Sequence, residues 1–381
     1  MQPLPLKIFE YLIDTIDEWP DGPREKTLGL CTQVSRSFAH RARKHIFRAV
    51  YFNDLCDNPI SYAKRFYHIA TWTPSKPDST ESLQSIVSLV KNLSIAFCWP
   101  RVTSTLHFEH VLSAILQILH GPEHGIESFD LRHSDGHWPT LGLGFRQAVI
   151  DLLRSSRLKT VFVKGLIEVP NTVFMRGHIT ELHLNNVAWA TLSTAREATY
   201  SARYPLGTVR THPQFDLLEV NRLQWRNFNT WKSSVAPIQS MLTQLRVLRI
   251  GEYHEEDGGE VSDYQFFRSL ILGSEDTIEE LKVGLFRSNL SMPRMILDLA
   301  SMKNLKTIHI EDFGLKPETS LEDIECLFDS LTSIKTLNSL CLGPGFQIDD
   351  GEEDDGEEDD GEDGHRVVDN NQVVYFRWIK P

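Results

Sequence analysis

The sequence predicts an α/β chain in which a short N-terminal helical module precedes an irregular αβ solenoid with a parallel sheet. Three observations lead there. Residues 4–50 set apolar side chains at helical spacing. From Val90 onward a short pattern, apolar-x-x-apolar-x-apolar, recurs nine times. Most segments between the copies carry a helical stripe, so strand and helix alternate along the chain. With 381 residues, 41% of them hydrophobic, the chain suits two to three domains or one long repeat array.

The module comes first, over residues 1–50. Leu4-Pro5 opens a helix whose apolar face is Ile8, Phe9, Leu12, Ile13 and Ile16. Pro5 suits the first turn, where its missing N–H would have no partner in any case. Trp19-Pro20-Asp21-Gly22-Pro23 interrupts the pattern. A second helix from about Lys26 carries Leu28, Cys31, Val34, Ser35 and Phe38, and a third carries Ala42, Ile46, Phe47 and Val50. The outer side of the third is basic, with Arg36, Arg41, Arg43, Lys44 and Arg48. Three short helices bury little area, so a module of this size needs a partner surface.

These residues resemble an F-box. The match is carried by Leu4-Pro5, the helix from Ile8 to Ile16, and Leu28-x-x-Cys31-x-x-Val34-Ser35-Arg36-x-Phe38. Phe38 stands where the family usually has tryptophan and keeps an aromatic anchor there. The continuation Arg41-x-Arg43-x-x-x-Phe47-Arg48-x-Val50 is similar to the F-box-like variant common in mushroom-type fungi. The resemblance implies docking on the Skp-type adaptor of a cullin-RING ubiquitin ligase through Leu4, Pro5, Ile8, Leu12, Leu28, Val34 and Phe38. The alternative is that the same stripes pack on the following domain.

After a connecting segment, residues 51–85, the array is expected over residues 86–348. Its copies begin at Val90, Ile126, Leu158, Ile179, Phe215, Leu245, Ile278, Leu305 and Leu337, about 31 residues apart on average. The pattern alone matches often by chance, and the regular step is the better argument. Helical stripes lie between, as in Leu106-Val111-Ile115-Leu119 and Phe145-Val149-Leu152-Leu153. The array resembles an irregular leucine-rich repeat. A doubly wound enzyme sheet is the competing fold, but it wants a glycine-rich turn after an early strand, and no GxGxxG or GxxxxGK[ST] motif occurs.

Within each copy, the residue between the two strand apolars faces away from the helices. Read in order these are Ser94, Asp130, Phe162, His183, Glu219, Arg249, Lys282, His309 and Cys341. A one-sign column would suit nucleic acid; this mixed one suits a protein target, with Asp130, Phe162, His183, Glu219, Arg249, Lys282 and His309 as the expected contacts. Inserts at 190–213 and 252–262 add rim loops.

Formal net charge is −13, yet 12 acids and no bases lie between Asp349 and Asp363. The other 40 acids face 39 bases, leaving −1, which excludes a uniformly basic nucleic-acid binder. Residues 349–364 read as an acidic insert disordered by composition, and 365–381 as a returning, capping strand. Five cysteines without a CxxC pair imply free thiols in a reducing compartment. Acids at Glu10, Asp14, Asp17 and Glu18 are unlike a signal peptide, and no run of 18 apolar residues would span a membrane. The expected location is cytoplasmic or nuclear.

His120-x-x-x-His124 and His133-x-x-x-His137 have ligand-like spacing, but their Gly and Pro neighbours place both in loops, so no metal site is expected. No nucleophile elbow, HExxH or kinase set appears. The expectation is a non-enzyme without cofactor: a substrate receptor joining a Skp-type adaptor and cullin core to a target protein. The alternative is a plain repeat scaffold; a cryptic hydrolase or transferase would need a deep polar pocket.

Overall fold

A computed structural model describes residues 6–17, 21–56, 58–71, 86–98, 103–120, 125–170, 173–174, 177–187, 214–221, 242–251, 273–284, 299, 302–311, 331 and 334–342. The expected acidic insert, the capping strand and both rim inserts lie outside them. The chain is α/β with a long parallel sheet, and it divides into two compact units. The first holds residues 1–218 and 223–242; the second holds 219–222 and 243–381.

The first unit opens with three helices, α1 (Leu6–Asp17), α2 (Asp21–Val34) and α3 (Arg36–Ile46). Their shared core is Ile13, Leu28 and Ala42, with Ile16, Cys31, Phe38 and Ile46 packed around it. The second helix begins at Asp21, not near Lys26. Gly22 and Pro23 sit in its first turn, where proline forfeits no hydrogen bond. Ser35 caps α3 through its hydroxyl, which accepts from Phe38 N at 3.4 Å. The third helix stops at Ile46: the Phe47 amide still reaches Arg43 O at 3.0 Å, but Phe47 leaves helical geometry and Arg48 N turns to His45 O at 3.4 Å. Val50 therefore belongs to a strand, contrary to expectation.

That strand, β1 (Ala49–Asn53), was hidden in the sequence at the expected module boundary. It starts a parallel series with β2 (Asn92–Phe97), β3 (Ser128–His137), β4 (Thr160–Ile167) and β5 (Glu181–Asn185), each paired with the next. The connecting segment is partly ordered as α4 (Pro59–Thr71) and leads to a short α5 (Ile86–Leu89). The helices α6 (Thr103–Leu119) and α7 (Leu143–Leu153) fall where the helical stripes predicted them.

Strand side chains alternate as the sequence pattern demands. Leu93, Ile95, Phe129, Leu131, Val161, Val163, Leu182 and Leu184 are buried. Aromatic edges knit sheet to helix: Phe97 meets Phe108 of α6 at 5.9 Å and Phe145 of α7 at 5.5 Å, and Phe52 meets Phe66 of α4 at 5.5 Å. A buried carboxylate organises α7. Glu109 Oε2 accepts from Gly142 N, the cap residue, at 2.6 Å. A Cβ on Gly142 would lie 2.6 Å from that oxygen, so a larger residue there would push the carboxylate aside.

The second unit repeats the scheme. Its strands β7 (Val247–Ile250), β8 (Glu280–Gly284), β9 (Thr307–Glu311) and β10 (Ser339–Leu342) pair in chain order, all parallel. Leu248, Ile250, Leu281, Val283 and Ile308 form its buried face. The strand β6 (Leu217–Asn221) begins in the first unit and ends in the second. Ten strands are thus described where nine were expected. The copies at Val90 and Ile126 are genuine strand entries.

One backbone motif recurs at these entries. Two successive N–H groups donate to a single carbonyl of the preceding strand entry. Lys91 and Asn92 donate to Arg48 O, Glu127 and Ser128 to Lys91 O, and Lys159 and Thr160 to Glu127 O, all within 2.8 to 3.1 Å. Thr180 and Glu181 donate in turn to Lys159 O. In the second unit Glu279 and Glu280 donate to Arg246 O, and Lys306 and Thr307 to Glu279 O.

Candidate functional site

Two surfaces carry chemistry: the outer faces of α1 and α2, and the polar face of each unit's strands. On α1, Ile8, Tyr11 and Leu12 lie one helical turn apart and are exposed, Tyr11 to 72%. On α2, Leu30 and Val34 are likewise one turn apart and exposed, Val34 to 66%. Apolar rows on adjacent turns differ from singly scattered surface hydrophobics.

The expected adaptor contacts therefore divide. Ile8, Leu12 and Val34 are on the surface. Leu28 is a correction: it is buried in the module core and offers nothing to a partner, because its face of α2 points at Ile13 and Ala42. Phe38 is half-buried against the same core. Leu4 and Pro5 lie outside the described residues. Tyr11 and Leu30 were missed, although Tyr11 follows Ile8 by three residues and Leu30 precedes Val34 by four.

A polar network holds α1 to α3. Arg41 donates to both oxygens of Asp14, at 2.8 and 2.5 Å, and His45 Nε2 lies 2.8 Å from Asp14 Oδ1. His45 Nδ1 lies 2.8 Å from Asp17 Oδ2, out of line for a hydrogen bond. The hydrogen bonds from Arg41 outweigh partial burial and hold the Asp14 carboxyl down at about 2.

On the first unit's sheet, registers place Tyr51, Ser94, Asp130, Phe162 and His183 in one column across β1 to β5. The expected positions Asp130, Phe162 and His183 share a face as read; Tyr51 was missed with its strand. Asp130 is recessed, its side chain 15% exposed, and it accepts from Ser94 Oγ at 3.1 Å. Arg132, 57% exposed, donates to the same carboxylate at 2.7 to 3.1 Å. That bond holds the Arg132 guanidinium above its usual range. Phe162 stacks on His183 at 4.1 Å with planes 15° apart. Partial burial raises the Tyr51 phenol.

In the second unit Arg249, Lys282, His309 and Cys341 share a column. Arg249 reaches Glu280 at 3.3 Å and Glu219 at 3.8 Å. Cys341 is buried, so the column's last position is closed.

His133 and His137 were expected in a loop and instead lie in β3, whose register is irregular between Arg132 and Gly136. A strand, like a loop, denies them one-turn helical geometry. Among the described residues no group of three or more His, Cys, Asp or Glu could hold a metal ion. None of the described helices is long and apolar enough to cross a membrane. Compared with protein-family models and with curated proteins, the chain matches none.

Proposed function

We propose that this chain is the substrate-recognition subunit of a Skp-cullin-F-box type ubiquitin ligase. In this reading the first three helices form an F-box-like module that docks on a Skp-type adaptor. The strands belong to a leucine-rich-repeat-like solenoid whose polar face holds a target protein. The chain performs no chemistry. It raises the local concentration of a target lysine beside a ubiquitin-loaded enzyme.

The observation that carries the reading is the exposed pair of apolar rows, Ile8-Tyr11-Leu12 and Leu30-Val34. These rows stand in solvent while the module keeps its own core, and they leave α1 and α2 free to meet a partner. Burying them against a partner helix is the favourable step that a three-helix module this small needs. The strand-entry motif and the chain-order pairing within each unit support the solenoid.

The test is co-expression with a Skp-type adaptor and co-purification, comparing wild type with an Ile8→Lys, Leu12→Lys, Val34→Lys chain. These three positions are exposed, so the variant keeps its melting profile. Co-elution of the wild type alone supports the ligase reading. A folded wild type that leaves the adaptor behind overturns it.

A second reading, a repeat scaffold with the module as end cap, has one observation in its favour. The third helix packs on α5, and the Arg48 carbonyl anchors the entry to β2. It predicts no adaptor in the same experiment.

A further inference from the structure

We propose that the polar sheet face of the first unit binds a short acidic peptide segment bearing an aromatic or large apolar side chain. The inference deepens the target-binding half of the proposed function and names the chemistry of the partner.

Four large side chains of this face are exposed: Tyr51, Arg132, Phe162 and Lys164. Two are aromatic and two are cationic. The cations stand side by side, since Arg132 of β3 is in register with Lys164 of β4. The acids of the same face are withdrawn. Asp130 is recessed and held by Ser94 and Arg132. Glu181 is engaged by the Thr160 hydroxyl at 3.0 Å. The formal charges of the face cancel, but the solvent meets the positive partners first.

Tyr51, Phe162 and Arg132 are of the residue types enriched in interface cores, and Tyr and Arg also among contact hot spots. Phe162 is already stacked on His183, so its ring is held flat against its neighbour and loses little freedom on binding. The column from Tyr51 to His183 crosses five strands, about 19 Å at 4.8 Å per step. An extended segment of about six residues covers that distance. Its carboxylates would meet Arg132 and Lys164, and its apolar side chain would meet Phe162 or Tyr51. A basic segment would meet like charge first.

The experiment is a random six-residue peptide array probed with the full-length protein, followed by affinity measurement on the best sequences. Enrichment of Asp and Glu together with an aromatic or large apolar residue is expected, with binding weakened by salt. Lys164→Glu should weaken the selected peptides at least tenfold, as should Phe162→Ala. Lys164 was chosen so that Asp130 keeps Arg132. Melting curves exclude loss of fold. Enrichment of Lys and Arg, no selective binding, or selected peptides indifferent to both substitutions would overturn the proposal. The adaptor plays no part in this measurement, so its failure leaves adaptor docking standing, and the co-purification can fail while peptide binding succeeds.

Discussion

Asp14 is the side chain on which α1 depends for its polar attachment to α3. Its folded-state carboxyl sits at about 2, below the ordinary 3.8, because Arg41 and then His45 favour the charged form. A depressed acid stabilises the fold fully above 3.8, and that contribution fades as pH falls from 3.8 toward 2. Asp14→Asn should cost about 1 kcal/mol at neutral pH, the upper end for a half-exposed pair. The loss should shrink steadily when denaturation curves of both chains are compared from pH 4 down to pH 2. Leu28 teaches a different lesson at the same scale. Its helical spacing from Cys31 and Val34 was legible, but spacing alone does not say which side of a stripe turns inward. Here Leu28 faces the core and Val34 the solvent.

At the scale of elements, strands were more legible than helix ends. Alternation of apolar and polar residues gave nine strand entries and the correct facing of Asp130, Phe162 and His183. It did not give β1, because Ala49–Asn53 follows a helix with only two residues between and its apolar residues continue the helical stripe. Nor did it give the attachment of α7. Glu109 and Gly142 are 33 residues apart, and only the folded chain brings them to 2.6 Å. Glu109→Ala removes the buried acceptor of the Gly142 amide and should destabilise the fold by about 1–3 kcal/mol in chemical denaturation. The strand entries also carry ion pairs. Lys91 holds Glu127 at 2.9 Å, while Arg246 at 3.1 Å and Lys306 at 2.9 Å both hold Glu279. Arg246 first, then Lys306, brings the Glu279 carboxyl to about 2, from 4.5. Stability of the second unit should accordingly fall as pH drops from 4.5 toward 2, and Glu279→Gln should flatten that fall in a series of melting curves.

For the whole molecule, charge is the property most easily read and least connected to the fold. Twelve acids between Asp349 and Asp363 account for all but one unit of the net −13. Deleting residues 349–363 should leave a chain near electrical neutrality at pH 7. Light scattering at low salt should then show association that the full chain resists. The candidate site on the sheet was legible only as far as its residue types: the mixed column was in the sequence, but the recession of Asp130 behind Arg132 depends on their shared strand and could be seen only in three dimensions.

The doubled hydrogen bonds at the strand entries have a consequence for how such a chain can change over generations. Where the doubled bonds occur, an entry is fixed by the carbonyl of the entry before it, not by the length of what lies between, and the intervals run from 21 residues (Lys159 to Thr180) to 43 (Arg48 to Lys91). Residues can therefore be gained or lost between strands while the side chains of each column keep their neighbours. Such an architecture tolerates exchange of single positions in a column, and it gives engineers insertion points that leave alignment across the paired strands intact.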